Sequence, residues 1–178
     1  MKLIKEVNII EDKKMIWRLN LTSLGLWILF FALFEVLAYW IQGMNVTEMT
    51  IVELFIGSIA LLGLLVIHEL IHGLFFKLYQ PEKKVEFGFK NGMAYATSSD
   101  SYYPRNQYIW IAAAPFVLIT LLLLALFIAE ALSKVLFVML ASIHAAGCVG
   151  DFYYLYLLSK QPKDIQVKDT EKGIELYR

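Results

Sequence analysis

Four apolar runs dominate this chain, at about residues 21–41, 51–79, 108–130 and 135–159. Each is long enough to cross a hydrocarbon core, which takes ~20 consecutive apolar residues as helix. Backbone polar groups have no water to bond in that medium, so a chain committed to it must run as helices or close into a barrel. Runs of this length predict helices. With 59% hydrophobic and 18% charged residues among 178, little chain remains for a separate soluble domain. The expectation is an all-α membrane protein, one integral membrane domain over 1–178 with four transmembrane helices.

Basic residues sort by segment: five precede the first run, five lie between the second and third, five follow the fourth, and Lys134 alone occupies the remaining loops. The positive-inside rule then places both termini and the central loop in the cytoplasm, and the short loops near Asn45 and Ser133 outside. The charged start lacks a small-residue cleavage site, so the first run is expected to stay as a helix rather than be removed as a signal peptide. Net charge is zero, which removes any general argument for a nucleic-acid partner. The single Cys148 excludes an internal disulfide. Oligomeric state is not readable.

Two stretches outside the runs carry strand signals. In "KKVEFGFKNGMAYATSS" apolar residues alternate on both sides of Asn91-Gly92, the dipeptide that favours a type I′ turn, predicting a cytoplasmic β-hairpin over about 85–97. The tail "DIQVKDTEKGIELYR" alternates more weakly around Glu-Lys-Gly, and is expected to pair with that hairpin or to stay mobile. Pro115, near the start of the third run, removes a backbone donor and predicts a kink or a close packing contact.

The second run contains "VIHELIHGLFF", residues 66–76. Ionisable groups inside a membrane span carry an insertion cost, and adding an acid to two histidines raises it with no structural return. A metal site accounts for all three. His68 and His72, at i and i+4, share one helix face and can aim at one zinc ion, the H-E-x-x-H arrangement. Glu69 is turned about 100° away, where it can reach a water that zinc activates and act as general base. Catalytic zinc takes three protein ligands, so a third is needed from elsewhere. The candidates are His144, Cys148, Asp151, Glu35 and Glu130.

Depth sorts them. At 1.5 Å per residue His68 and His72 lie ~13 and ~8 Å before the cytoplasmic end of their helix. In the fourth run Asp151 lies ~13 Å, Cys148 ~18 Å and His144 ~24 Å before the corresponding end. Asp151 is therefore preferred. His144 should sit about 10 Å too deep unless the glycines distort the helix, and is kept as an alternative ligand or an outer hydrogen-bonding partner. Three histidines are too few for a di-iron desaturase.

With "HELIH" on one span, a hairpin, an alanine-proline span start and "GCVGDFYYL" on a later span, the chain resembles site-2 protease-type intramembrane zinc metalloproteases. It is more closely similar to a bacterial family of small membrane proteins described as zincin peptidases, over about residues 51–158. The resemblance implies Zn2+ held by His68, His72 and Asp151, with Glu69 as catalytic base, hydrolysing a peptide bond of a membrane-anchored protein near the cytoplasmic face. The Asn-Pro-Asp-Gly pattern common in site-2 proteases is replaced by Val149-Gly150-Asp151-Phe152. Another metal-dependent hydrolase acting on a lipid-linked amide or ester, or a non-catalytic metal-binding protein, are the competing expectations.

Overall fold

The computed structural model describes residues 1–43, 49–99 and 101–178. The expected loop near Asn45 lies outside them. Along the chain run β1 (Leu3–Asn8), α1 (Lys13–Gln42), α2 (Ile51–Tyr79), β2 (Glu86–Lys90), β3 (Met93–Thr97), β4 (Tyr102–Pro104), α3 (Arg105–Ile128), α4 (Lys134–Gly147), α5 (Val149–Ser159), β5 (Gln166–Thr170) and β6 (Gly173–Tyr177).

Local chemistry sets the helix starts. Asp12 caps α1 by accepting the N–H groups of Lys14 and Met15 at 2.9 and 3.2 Å. Thr50 and Glu53 form a reciprocal capping box on α2. Ser133 accepts from Leu136 N–H at the start of α4. Helices α1, α2 and α3 are each long and apolar enough to cross a membrane. Their outward faces leave large apolar side chains such as Ile28, Leu62, Val66 and Leu121 exposed.

The fourth run differs from the single helix expected. It is two helices, α4 and α5, meeting at Cys148 with a 50° bend. Carbonyls in the last turn of a helix lack helical donors, and that of Ala146 is taken by the Ser23 hydroxyl of α1 at 2.9 Å. Phe152, one turn into α5, packs on Phe30 of α1 and Phe116 of α3. The bend is therefore held from two sides.

The all-α expectation is also corrected. Strands β2 and β3 form the expected hairpin, with Asn91 and Gly92 at φ 52° and 83° in the turn, but a second, four-stranded antiparallel sheet has the order β1-β6-β5-β4. The tail is neither mobile nor paired with the hairpin. It forms β5 and β6, and β6 is covered on its far side by β1 from the N-terminal segment, which carried no recognised strand signal. Two strands alone are marginal, and only β1 and β4, distant in sequence, complete a stable sheet. Gly173, at φ +149°, lets β1 close in: a Cβ there would meet the Val7 carbonyl oxygen at 2.1 Å.

Two buried clusters result. One joins the four-stranded sheet to the helix ends through Phe76, Tyr103, Tyr108, Tyr154, Ile174 and Leu176. The other fills the space between helices around Phe34, Phe127 and Phe137, the last two stacked 4.6 Å apart. On α2, His68 and His72 fall between Leu64 of the second cluster and Phe76 of the first.

Candidate metal centre

Four donors meet at that level. His68 Nε2 lies 3.1 Å from His72 Nε2, 3.3 Å from Asp151 Oδ2, and His72 Nε2 lies 3.3 Å from Asp151 Oδ1. The two histidines come from adjacent turns of α2 and Asp151 from the first turn of α5. The side chains of His68 and Asp151 are only 12% and 13% exposed, so water does little to satisfy them.

The far nitrogen of each histidine is also engaged. His72 Nδ1–H donates to the carbonyl of Ile111 at 2.9 Å. That carbonyl is free because residue 115, which would supply its helical donor, is proline and has no N–H. The proline expected to cause a kink or contact thus exposes an acceptor that fixes a histidine tautomer, and α3 continues through it. In the neutral form of His72 a proton on Nδ1 leaves the Nε2 lone pair facing the Asp151 carboxylate and His68. Acceptors facing one another in a poorly solvated site call for a cation between them. His68 Nδ1 is 3.3 Å from His144 Nε2.

Glu69 faces the same cavity, and the backbone N–H of Ala96 on β3 is near enough to favour its carboxylate. The cavity, about 490 Å³, is lined by His68, Glu69, His72, Asp151 and the β3 segment from Met93 to Ala96. The hairpin is seated on α2 at Gly73, where the Phe87 ring occupies the space a side chain would take: a Cβ there would meet it at 2.5 Å.

The depth reading placed His144 about 10 Å from the site; its imidazole instead contacts His68. That estimate assumed one straight helix through residues 135–159, and the bend at Cys148 removes the premise. Asp151 and His144 therefore both reach His68, from opposite ring nitrogens. Glu35 is paired with Lys134 at 2.9 Å, and Glu130 sits in the α3–α4 turn at φ 58°; neither joins the donors that converge with the histidines among the described residues.

Three supporting groups had no signal in the sequence reading: the Ile111 carbonyl, the Ala96 N–H and Asp169. Asp169, on β5, is 5% exposed and accepts from the Tyr108 hydroxyl of α3 and from the N–H of Ser98, just past the end of β3, at 3.2 Å. Burial pushes its carboxyl up to about 6. It ties together the helix that orients His72 and the strand that touches Glu69. Of these, only the freed carbonyl four residues before Pro115 could have been inferred from the sequence.

The donor set suits zinc. Tetrahedral Zn2+ with bonds of ~2.0–2.2 Å to nitrogen and oxygen spaces its ligands about 3.3 Å apart, against 3.1–3.3 Å here. A helical protein with a His/His/Asp donor triad and an adjacent glutamate has the makings of a zincin. Residues 61–166 match the family described as "Putative zincin peptidase", and the chain belongs to that family. The matched stretch holds α2 from Leu61 onward, the hairpin, and all of α3, α4 and α5. Family membership implies a zinc metallopeptidase. No curated protein and no solved structure matches the chain.

Proposed function

We propose that this protein is an intramembrane zinc endopeptidase, of the site-2 protease type, that cleaves a membrane-anchored protein near the cytoplasmic face. The observation that carries the reading is the convergence of His68 Nε2, His72 Nε2 and Asp151 within 3.3 Å beside a glutamate that opens on the same cavity. Membrane insertion is supported by apolar side chains left exposed along α1, α2 and α3, which a hydrocarbon medium would cover. Pairing of β1 with β6 keeps both termini on one side, as an even number of crossings requires, and the basic-residue bias makes that side cytoplasmic.

His68, His72 and Asp151 would hold the ion, which supplies Lewis-acid polarisation of a carbonyl and activation of water near neutral pH. Glu69, next in sequence to a ligand yet rotated off the ligand face, accepts the proton of the attacking water and delivers it to the leaving amine. Ile111 holds the His72 ring in one tautomer. Since Ala96 N–H points away from β2 toward Glu69, alternation along β3 turns the N–H and C=O of Ala94 the same way. A substrate unwound to an extended strand can pair with this edge and lie across the site.

The test compares wild type with Glu69→Gln, both in proteoliposomes and in cells. Both should carry about one zinc per chain, and new N-termini in membrane proteins should appear only with wild type. Zinc in both with identical termini profiles would end the protease reading. If a lipid-linked amide or ester is consumed by wild type alone, the hydrolase alternative takes its place.

A further inference from the structure

His68 belongs to two donor sets. Beyond the triad with His72 and Asp151, its Nδ1 stands 3.3 Å from His144 Nε2 and 3.9 Å from Cys148 Sγ, and the latter two are 3.8 Å apart. These three converge closely enough to hold one ion. Metal–nitrogen bonds of ~2.0–2.1 Å and metal–sulfur bonds of ~2.3 Å put trigonal or tetrahedral donors about 3.3–3.8 Å apart. The bend creates this set: His144 closes α4, Cys148 is the residue between the helices, and the Sγ is turned back over the last turn toward the His144 carbonyl at 3.3 Å.

The two sets differ in chemistry. The first has a carboxylate and two imidazoles, suited to a borderline divalent ion; the second has a thiol and two imidazoles, a softer set. The second is also drier, with Cys148 0% and His144 7% exposed, in a stretch whose Ala141, Ala145 and Ala146 are buried as well. An apolar surround disfavours net charge. A monovalent cation with one thiolate and two neutral imidazoles is a neutral complex, whereas a divalent ion on the same donors keeps a positive charge. The cavity reaches His68 and His144, so an ion can approach the two imidazoles of the set, with the Cys148 thiol buried behind them.

We infer that His68 Nδ1, His144 Nε2 and Cys148 Sγ form a second metal site, selective for a soft monovalent d10 cation of the Cu(I) class, which competes with zinc at the neighbouring triad for His68. Binding releases the thiol proton and leaves the oxidation state of the metal unchanged. Coordination through both ring nitrogens would require neutral His68 to give up its one ring N–H proton and become an imidazolate, so the two ions oppose each other, and by linkage the weakening is reciprocal.

Cys148 is the single cysteine of the chain, which makes sulfur ligation diagnostic. Purified full-length protein, zinc-free and zinc-loaded, is titrated anaerobically with Cu(I) against a Cu(I)-specific chelator, and copper X-ray absorption is recorded. One Cu(I) per chain with one sulfur and two nitrogen neighbours is expected. In the zinc-free protein Cys148→Ser, Cys148→Ala and His144→Ala should each weaken Cu(I) by more than the roughly 10–100-fold of an outer-shell loss, while Asp151→Ala, which removes no donor of this set, weakens it less than any of them. Circular dichroism and monodispersity in detergent report that the Cys148 variants fold. Copper bound without sulfur, no copper bound, or equal losses in Asp151→Ala and Cys148→Ser would each overturn the site. The zinc-displacement arm rests on the zinc reading of the triad; the Cu(I) affinity and its sulfur neighbour do not, so the two can fail separately.

Discussion

Helix α2 and the bent pair α4–α5 contribute donors to the same centre by different means. α2 runs unbroken from Ile51 to Tyr79, and helical periodicity alone puts His68 and His72 on one face. The bent pair covers a similar length, but the relation of His144 to Asp151 follows from a 50° change of direction at Cys148. No residue there forces the bend by itself; Gly147 has no neighbour within 4 Å of a built Cβ and does not need positive φ. What holds it is Ser23 on the Ala146 carbonyl and Phe152 between Phe30 and Phe116. Donors on a continuous helix are a local property, while donors across a bend belong to the whole packing.

The comparison breaks most sharply at Glu69. Glu69→Gln should retain zinc while lowering turnover of an identified substrate by the ~10²–10⁴-fold that general-base catalysis contributes; turnover near wild type would remove Glu69 as the base and leave α2 only its ligand role.

Next come the donors of the bent pair. Asp151→Ala should reduce zinc occupancy as severely as His72→Ala, whereas His144→Ala should cost roughly 10–100-fold in zinc affinity. Metal analysis of the three variants in one detergent checks this, and a reversal between positions 151 and 144 would mean that zinc prefers the other side of His68.

Asp169 tests the anchor that serves α2 through β3. Its folded pKa of about 6 exceeds the ordinary 3.8, so the folded state holds the proton more tightly. The stability it contributes is present in full below about pH 4 and is lost as pH rises through 6. Relative to Asp169→Asn, wild type should therefore lose up to about 3 kcal/mol between pH 4 and 7, read from thermal unfolding of both proteins across that range. A pH-independent difference would show that the carboxyl titrates normally.

Smaller effects are expected where each helix borrows a hydrogen bond. Ser23→Ala should destabilise by about 1–3 kcal/mol, because the Ala146 carbonyl is left unpaired, and Thr22→Ala, whose hydroxyl bonds only Arg18 of its own helix, is the control. Pro115→Ala returns a helical donor to the Ile111 carbonyl. Zinc affinity should fall by about tenfold, as for a lost ligand-orienting partner, with no loss of thermal stability, and nitrogen NMR of the imidazoles should show His72 no longer held in one tautomer.

Much of this was legible without coordinates. The four apolar runs, the Asn-Gly turn, and the spacing of His68, Glu69 and His72 are short-range properties, decided by residue type and by the 3.6- and 2-residue periods of helix and strand. The tertiary structure decided the rest: that β1 covers the C-terminal β6, that the fourth run breaks at Cys148, that Pro115 hands the Ile111 carbonyl to His72, and that His68 faces Asp151 with one nitrogen and His144 with the other. Each of these depends on a partner tens of residues away, and an orphaned carbonyl or a strand edge carries no mark in the sequence of which distant group will satisfy it.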